Sequence, residues 1–224
     1  MGFVQNFFMY QFNDYKCLSR ATRALATRYW LACLKSHLDV TSTYKIAEVL
    51  SSHTCVENRP LSWSNSSTRF FNMKENGQPV IRVNTLENID KLLGGSFNSV
   101  AILYHPLWQL IDKKQPTKNF IDEVLSNLPL RYVSVMFHED EYGGLTRKVT
   151  VHARTLDKMQ REVNIHNMTF WLADCIENIH AEGDISFFRA ESQYRYQIFE
   201  LGRSNPLKAI AACLEKHIAS LIKK

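Results

Sequence analysis

Apolar residues recur at helical spacing along most of this chain, and that pattern limits it to a mainly helical fold. In the segment 17–38, Leu18 and Leu25 lie on one helical face while Arg20 and Arg23 lie opposite. Towards its C-terminal end the segment becomes apolar almost all round. A helix of that kind is buried on most sides, so we expect it to run through the centre of its domain.

Glycine and proline divide the following stretch into short helices. We expect one helix within residues 41–50 and a second that begins at Ser62 or Ser64. Gly77 supplies the left-handed residue that commonly ends a helix, and Pro79 prevents the helix from resuming. The sequence therefore predicts two short helices separated by a loop.

A third helix is predicted after this pair. Asn84 followed by Glu87 resembles a capping box, and the Gly-Gly pair at 94–95 stops the helix. Further on, His105 and Pro106 interrupt an apolar stretch. Proline inside a helix removes a backbone hydrogen bond, so this pair predicts a kink or a new helical start.

The pattern changes after the charged linker "DKKQPTK". Residues 130–137 and 147–152 alternate apolar and polar side chains on either side of "EDEYGG", which predicts a β-hairpin. The run "YRYQIF" fits a third strand or a helix. Residues 165–179 follow helical spacing, so a helix is expected there, before Gly183.

The C-terminal segment carries one apolar stripe. We expect Asn205 to cap a helix whose first position is Pro206. The stripe alternates steps of four and three residues, as a coiled-coil seam does: Leu207, Ala211, Leu214, Ile218 and Leu221. It would either join two copies in a homodimer or pack within its own domain, and the sequence leaves both alternatives open.

Charge is distributed unevenly along the chain. Residues 1–82 hold 10 Lys and Arg against 5 Asp and Glu, whereas residues 83–224 hold 17 of each class. A basic region beside a neutral one favours an anionic partner such as nucleic acid. The alternative is a solvated basic surface without a ligand.

Other functional classes find little support in the sequence. The five cysteines are scattered and never spaced C-x-x-C, so neither a disulfide framework nor a zinc site is indicated, and a reducing cytoplasm fits best. No apolar run approaches the roughly 20 residues of a membrane span. Nucleophile-elbow, Walker and dinucleotide motifs are absent, and the carboxylates of "FHEDEYGG" are typical of a solvated turn. We therefore expect no enzyme, cofactor, metal or membrane partner.

The paired short helices are typical of a helix-turn-helix DNA reader. The second helix of such a unit enters the major groove, where Asn, Ser and Arg side chains meet base edges. The candidates for base or phosphate contact are polar and basic residues of both helical regions and the loop: Arg20, Arg23, Arg59, Ser64, Asn65, Thr68, Arg69, Asn72 and Lys74. Alternatively, Arg69 only solvates a surface helix or pairs with Glu75.

A resemblance points the same way. The order "YKIAEVL", Trp63, Phe70, "NGQP", "TLENIDKLLGGS" and "HPLW", between Thr43 and Trp108, resembles Cro/repressor-type helix-turn-helix proteins of bacterial mobile elements and genomic islands. The resemblance implies DNA binding and transcriptional regulation.

Together these patterns predict a mainly α chain, α+β overall. A helical, helix-turn-helix-like domain is expected over residues 1–112, followed by a mixed domain with a small antiparallel sheet over residues 113–224. The expected function is transcriptional regulation on double-stranded DNA, with a homodimer as an open alternative. The other candidate is a non-enzymatic, protein-binding accessory factor of a mobile element or defence island.

Overall fold

The computed structural model describes residues 12–54, 65–80, 83–148, 151, 153–179, 185–203 and 206–222. In the first part of the chain the described secondary structure consists of helices: α1 (Phe12–Cys17), α2 (Arg20–His37), α3 (Thr43–Thr54), α4 (Asn65–Glu75), α5 (Val83–Leu92), α6 (Ser99–Leu103), α7 (Pro106–Asp112), α8 (Lys118–Ser126) and α9 (Leu130–Met136). A hairpin and more helices follow: β1 (Phe137–Glu139), β2 (Leu145–Arg147), α10 (Ala153–Arg161), α11 (Ile165–Glu177), α12 (Ile185–Arg203), a 3-10 turn (Leu207–Ala209) and α13 (Ala211–Ile222).

The predicted mainly α, α+β class is confirmed. The hairpin also exists, since β1 pairs with β2 in antiparallel register and Phe137 lies opposite Arg147, although β2 ends at Arg147, where the predicted second strand begins. The predicted strand over residues 130–137 is nevertheless mostly wrong, because residues 130–136 form α9. Their apolar side chains also satisfy helical spacing, which buries Tyr132 and Met136 on one face. The Pro129 carbonyl accepts the first hydrogen bonds of this helix.

The ends of several helices agree with the predictions. Gly77 has a φ of 80°, and the Gln78 amide donates to the Met73 carbonyl at 2.9 Å, which closes α4. His105 caps α7 and Pro106 takes its first position, so the predicted new helical start is confirmed. In contrast, α5 begins at residue 83, one residue before the predicted Asn84 cap.

Two predictions in the C-terminal part are now resolved. The run "YRYQIF" lies inside α12, so the helical alternative is correct. Pro206 precedes a 3-10 turn, and α13 begins only at Ala211, later than predicted. Asn205 and residues 149, 150 and 152 lie outside the described part of the chain.

The centre of the fold is α2, as its apolar sequence predicts. Trp30 and Leu34 are fully buried, and α2 packs against α3, α4, α6 and α7. The Trp30 Nε1 atom donates to the Ser99 hydroxyl at 2.9 Å, and that hydroxyl donates to the Asp90 carboxylate at 2.6 Å. This chain of hydrogen bonds fixes α6 and α5 relative to the central helix.

The C-terminal stripe packs within its own chain. No more than 1% of the surface is exposed at Leu207, Leu214 and Ile218, so a dimer seam built on these residues is wrong. His217 on α13 lies 3.1 Å from the Ile111 carbonyl of α7. One buried cluster contains side chains from both sides of residue 112, and the two-domain division stays a prediction. No described helix is long and apolar enough to cross a bilayer.

Candidate nucleic-acid interface

The two helices of the predicted helix-turn-helix unit are α3 and α4, and they pack against each other and against α2. Ile46 and Leu50 of α3 and Phe71 of α4 are completely buried at this junction. A hydrogen bond from the Thr43 hydroxyl to the Asn72 side-chain oxygen ties the start of α3 to α4. The result is a three-helix unit in which α4 is held on one side and open on the other.

The sequence of α4 separates its buried and open faces. Ser67 and Phe71 are buried, while Arg69 and Asn72 are exposed. Arg69 and Asn72 are three residues apart and therefore lie on the same side of the helix, one turn from each other. Thr68 is half-buried beside them.

Arg69 offers an exposed cation on α4. Among the described residues it has no hydrogen-bond or ion-pair partner. Glu75, its alternative partner, instead binds Lys35 of α2, with 2.6 Å between Nζ and Oε1. The proposed Arg69–Glu75 pairing is therefore wrong, and the Lys35–Glu75 pair serves to hold α4 against α2.

In the side chain of Asn72, only the oxygen takes part in a hydrogen bond among the described residues. Its side-chain oxygen accepts from Thr43, and its backbone carbonyl accepts from the Asn76 side-chain amide at 3.0 Å. The Asn72 amide NH₂ has no partner among the described residues. Asn72 can therefore donate to a ligand on the open face of α4 while Thr43 fixes its orientation.

Lys74 does not belong to this surface, and its prediction as a phosphate contact is wrong. Only 4% of the residue is exposed, and its Nζ atom donates to the Pro79 carbonyl at 2.8 Å. The ammonium group also lies 5.0 Å from the centre of the Phe70 ring. Burial lowers the pKa of Lys74 from its ordinary value. Lys74 thus stabilises the turn after α4 and cannot reach a phosphate from there.

The arginines of α2 differ in accessibility. Arg20 is exposed at the first position of α2, whose N-terminus is held by hydrogen bonds from the Ser19 amide to Asp112. Arg23 is half-buried, and its Nε atom is buried without a hydrogen-bond partner among the described residues. The Nε atom of Arg28 is also buried without a hydrogen-bond partner among the described residues, and it lies beside Gly77. Sequence reasoning did not single out Arg28.

Some candidates cannot be placed on the surface. Arg59 and Ser64 lie outside the described residues. Asn65 is the first residue of α4, and its side chain is outside the described part of the chain. The structure therefore brings together Thr68, Arg69 and Asn72 as the core of the candidate interface.

The acidic turn lies on a different element. Asp140 accepts hydrogen bonds from the backbone amides of Tyr142 and Gly144 at 2.9 and 2.6 Å, so its carboxylate shapes the hairpin turn. His138, Glu139 and Asp140 are exposed. Within the described ranges no three His, Cys, Asp or Glu side chains are grouped closely enough to hold a metal ion.

Comparison of the chain with protein-family models, with curated proteins and with solved structures finds no match. The resemblance to Cro/repressor-type proteins therefore stays a prediction.

Proposed function

We propose that this chain binds double-stranded DNA and regulates transcription, with the open face of α4 as the reading surface. The observation that carries the proposal is the exposed placement of Arg69 and Asn72 on a helix whose opposite face is anchored to α2 and α3. The proposal includes no catalytic step and no cofactor.

The chemistry of the two side chains suits base edges. The guanidinium of Arg69 can donate two parallel hydrogen bonds to O6 and N7 of guanine. The Asn72 amide can donate to N7 of adenine while its oxygen keeps its bond to Thr43. A helix fits the major groove, which is roughly 12 Å wide, and a helix held from behind presents these groups with little loss of conformational entropy.

Phosphate contacts would come from exposed cations of the three-helix unit formed by α2, α3 and α4. Arg20 is exposed on α2, and Lys45 is exposed on α3, although Lys45 already pairs with Glu48 at 2.7 Å. Arg20 is therefore the better candidate, because its charge is not shared with a described carboxylate. The two-to-one excess of basic over acidic residues before position 83 supports an anionic ligand on this side.

A cytoplasmic location is part of the proposal. Four cysteines in the described ranges are free, and two of them, Cys17 and Cys213, are exposed. Exposed free thiols persist in a reducing compartment, which is where a regulator of transcription acts.

The experiment is a titration of labelled random-sequence duplex DNA with the full chain at several salt concentrations. Removing one cation that binds a phosphate should reduce the slope of log affinity against log salt by about 0.9. We expect that reduction for Arg20→Ala. The matched control is Lys118→Ala, since Lys118 is also exposed but lies on α8, which packs against α7 and α11.

Two results would oppose the proposal. Absence of duplex binding at low salt would remove DNA as the ligand and favour the protein-binding accessory factor. Equal slopes for the parent chain and Arg20→Ala, with a reduced slope for Lys118→Ala, would place the DNA surface on another side of the molecule.

A further inference from the structure

The open face of α4 combines polar side chains with one methionine. Ser67 and Phe71 mark the buried side of the helix. Helical spacing places Arg69, Asn72 and Met73 on the other side, with Met73 one turn after Arg69 and next to Asn72. Met73 is 37% exposed, and it is the only apolar side chain among the exposed residues that the structure describes in α4.

The backbone at Met73 is held in a fixed position. The Met73 carbonyl accepts a hydrogen bond from the Gln78 amide at 2.9 Å. The Nζ atom of Lys74 closes the same turn by donating to the Pro79 carbonyl at 2.8 Å. The methionine side chain is unbranched and polarizable, so it can adapt its end to an apolar group of a ligand while its backbone stays in place.

The hydrogen bond between Thr43 and Asn72 limits what Asn72 can recognise. The Asn72 side-chain oxygen is engaged by Thr43, so only its NH₂ group can serve a base. Adenine and guanine both present N7 as an acceptor in the major groove, and an asparagine selects adenine by also accepting from its N6 amino group. Asn72 alone therefore does not distinguish an A·T pair from a G·C pair.

Thymine offers the feature that Asn72 cannot read. Its 5-methyl group is the only methyl group that the four bases present in the major groove, and it lies in the same groove as N7 of the paired adenine. Recognition of this group needs an apolar side chain close to Asn72 on the open face of α4. Met73 is the side chain with that chemistry and that position.

We propose that Met73 packs against the 5-methyl group of a thymine and thereby gives the open face of α4 a preference for an A·T pair. This inference rests on the proposed DNA-reading function and adds a specificity-determining residue to it. Burial of one methyl-sized group changes an affinity about 4-fold. The contact involves no charge, so it differs in kind from the phosphate contacts of Arg20.

The experiment uses a duplex that the full chain selects from a random library. Each thymine of this duplex is replaced in turn by deoxyuridine, which pairs as thymine does and lacks only the 5-methyl group. We expect the affinity of the parent chain to fall about 4-fold at one or two positions and to stay unchanged at the others. The loss should be the same at every salt concentration, because a methyl contact releases no counterion.

Substitution of Met73 connects this loss to the side chain. Met73→Ala should bind the thymine duplex at least about 4-fold more weakly than the parent chain, and should lose nothing more at the positions where uracil weakens the parent. Met73→Leu keeps an apolar side chain and should keep the response to uracil. The matched control is Leu130→Ala, since Leu130 is 61% exposed on α9, which packs against β1. This control should respond to uracil as the parent does.

Failure of this inference and failure of the proposed function give different results. A parent chain that binds no duplex at low salt contradicts both. A parent chain that binds a selected duplex equally well after every uracil replacement contradicts only the methyl contact, as does a selected duplex without A·T pairs. A response to uracil that persists in Met73→Ala would assign the methyl contact to another residue and would also overturn the inference.

Discussion

A pair of histidines joins α7 to α11 and should make the stability of this protein depend on pH. The Nδ1 atom of His105 accepts a hydrogen bond from the Leu107 amide at 3.2 Å. The proton of His105 therefore resides on Nε2, which lies 2.8 Å from Nδ1 of His166 and donates to it. Both rings are neutral in this arrangement, and a proton added to His166 Nδ1 would break the bond between them.

Burial keeps the pair neutral. It lowers the pKa of His166 to about 4, with a smaller contribution from the nearby positive charge of Arg131. Burial, together with the adjacent His166, also lowers the pKa of His105 well below 6.5. In the unfolded chain a histidine titrates near 6.5. The unfolded state thus binds more protons between pH 6.5 and pH 4, and stability falls as pH falls through this window.

The size of the effect follows from the two pKa values of His166. With a value of about 4 when folded and about 6.5 when unfolded, lowering the pH from about 7.5 to about 5 should remove about 2 kcal/mol from the free energy of unfolding. His105 adds to this loss. Burial raises the pKa of some carboxyl groups, such as Asp90, and these groups make the folded state more stable as the pH falls. Their contribution is the same in each variant, so it cancels when variants are compared.

The assay is urea unfolding of the full chain at pH 7.5 and pH 5, for the parent and for His166→Asn. The asparagine oxygen can accept from His105 but cannot titrate, so we expect the pH-dependent loss to shrink by about 2 kcal/mol. His138→Asn is the control, because His138 is exposed on β1. Parent and His166→Asn profiles that fall equally with pH would refute the reasoning.

Two further predictions concern a glycine and an ion-pair cluster. Gly77→Ala should lower the free energy of unfolding in urea by about 2 to 3 kcal/mol, because the alanine would have to adopt a φ of 80° and its Cβ would meet side-chain atoms of Arg28 and Ala24 at 3.0 and 3.3 Å. Gly95→Ala should lower it by about 1 kcal/mol, because Gly95 also has a positive φ but has open space around it. Equal losses would show that the side-chain crowding is unimportant. Arg147 binds Asp122 at 2.7 Å and Glu177 at 2.6 Å. Arg147→Met should lower the free energy of unfolding by about 2 to 4 kcal/mol at pH 7.5, because it leaves these two half-buried carboxylates facing each other. Burial already raises the pKa of Glu177, so part of that loss should be regained at pH 5, and a loss that grows on acidification would contradict this account.

Local patterns in the sequence were sufficient for the main helices. The apolar face of α2 and the Gly77 helix end follow from periodicity and from backbone preferences that act within a few residues. The same reasoning failed for residues 130–136, because one run of alternating residues satisfied both strand and helix spacing and packing decided between them.

The site was predicted only in part, for a physical reason. The exposure of Arg69 and Asn72 follows from the spacing of buried Ser67 and Phe71, whereas a lysine is expected to be solvated and Lys74 is not. Its burial depends on the Pro79 carbonyl, which the turn after α4 brings within reach. Contacts such as the one between His105 and His166 join residues 61 positions apart and have no local signature in the sequence.

The central claim is that Arg69 reads a base, and a ratio of two affinities tests it directly. A duplex that the parent chain selects from a random library would be titrated beside a scrambled duplex at one salt concentration, with the parent, Arg69→Ala and Arg161→Ala. A bidentate arginine–guanine contact contributes about 1 to 3 kcal/mol of discrimination, so Arg69→Ala should lower the preference about 5- to 150-fold. Arg161→Ala, a change at an exposed arginine of α10, should leave the preference as it is. An unchanged ratio in Arg69→Ala would contradict the assignment of α4 as the reading helix.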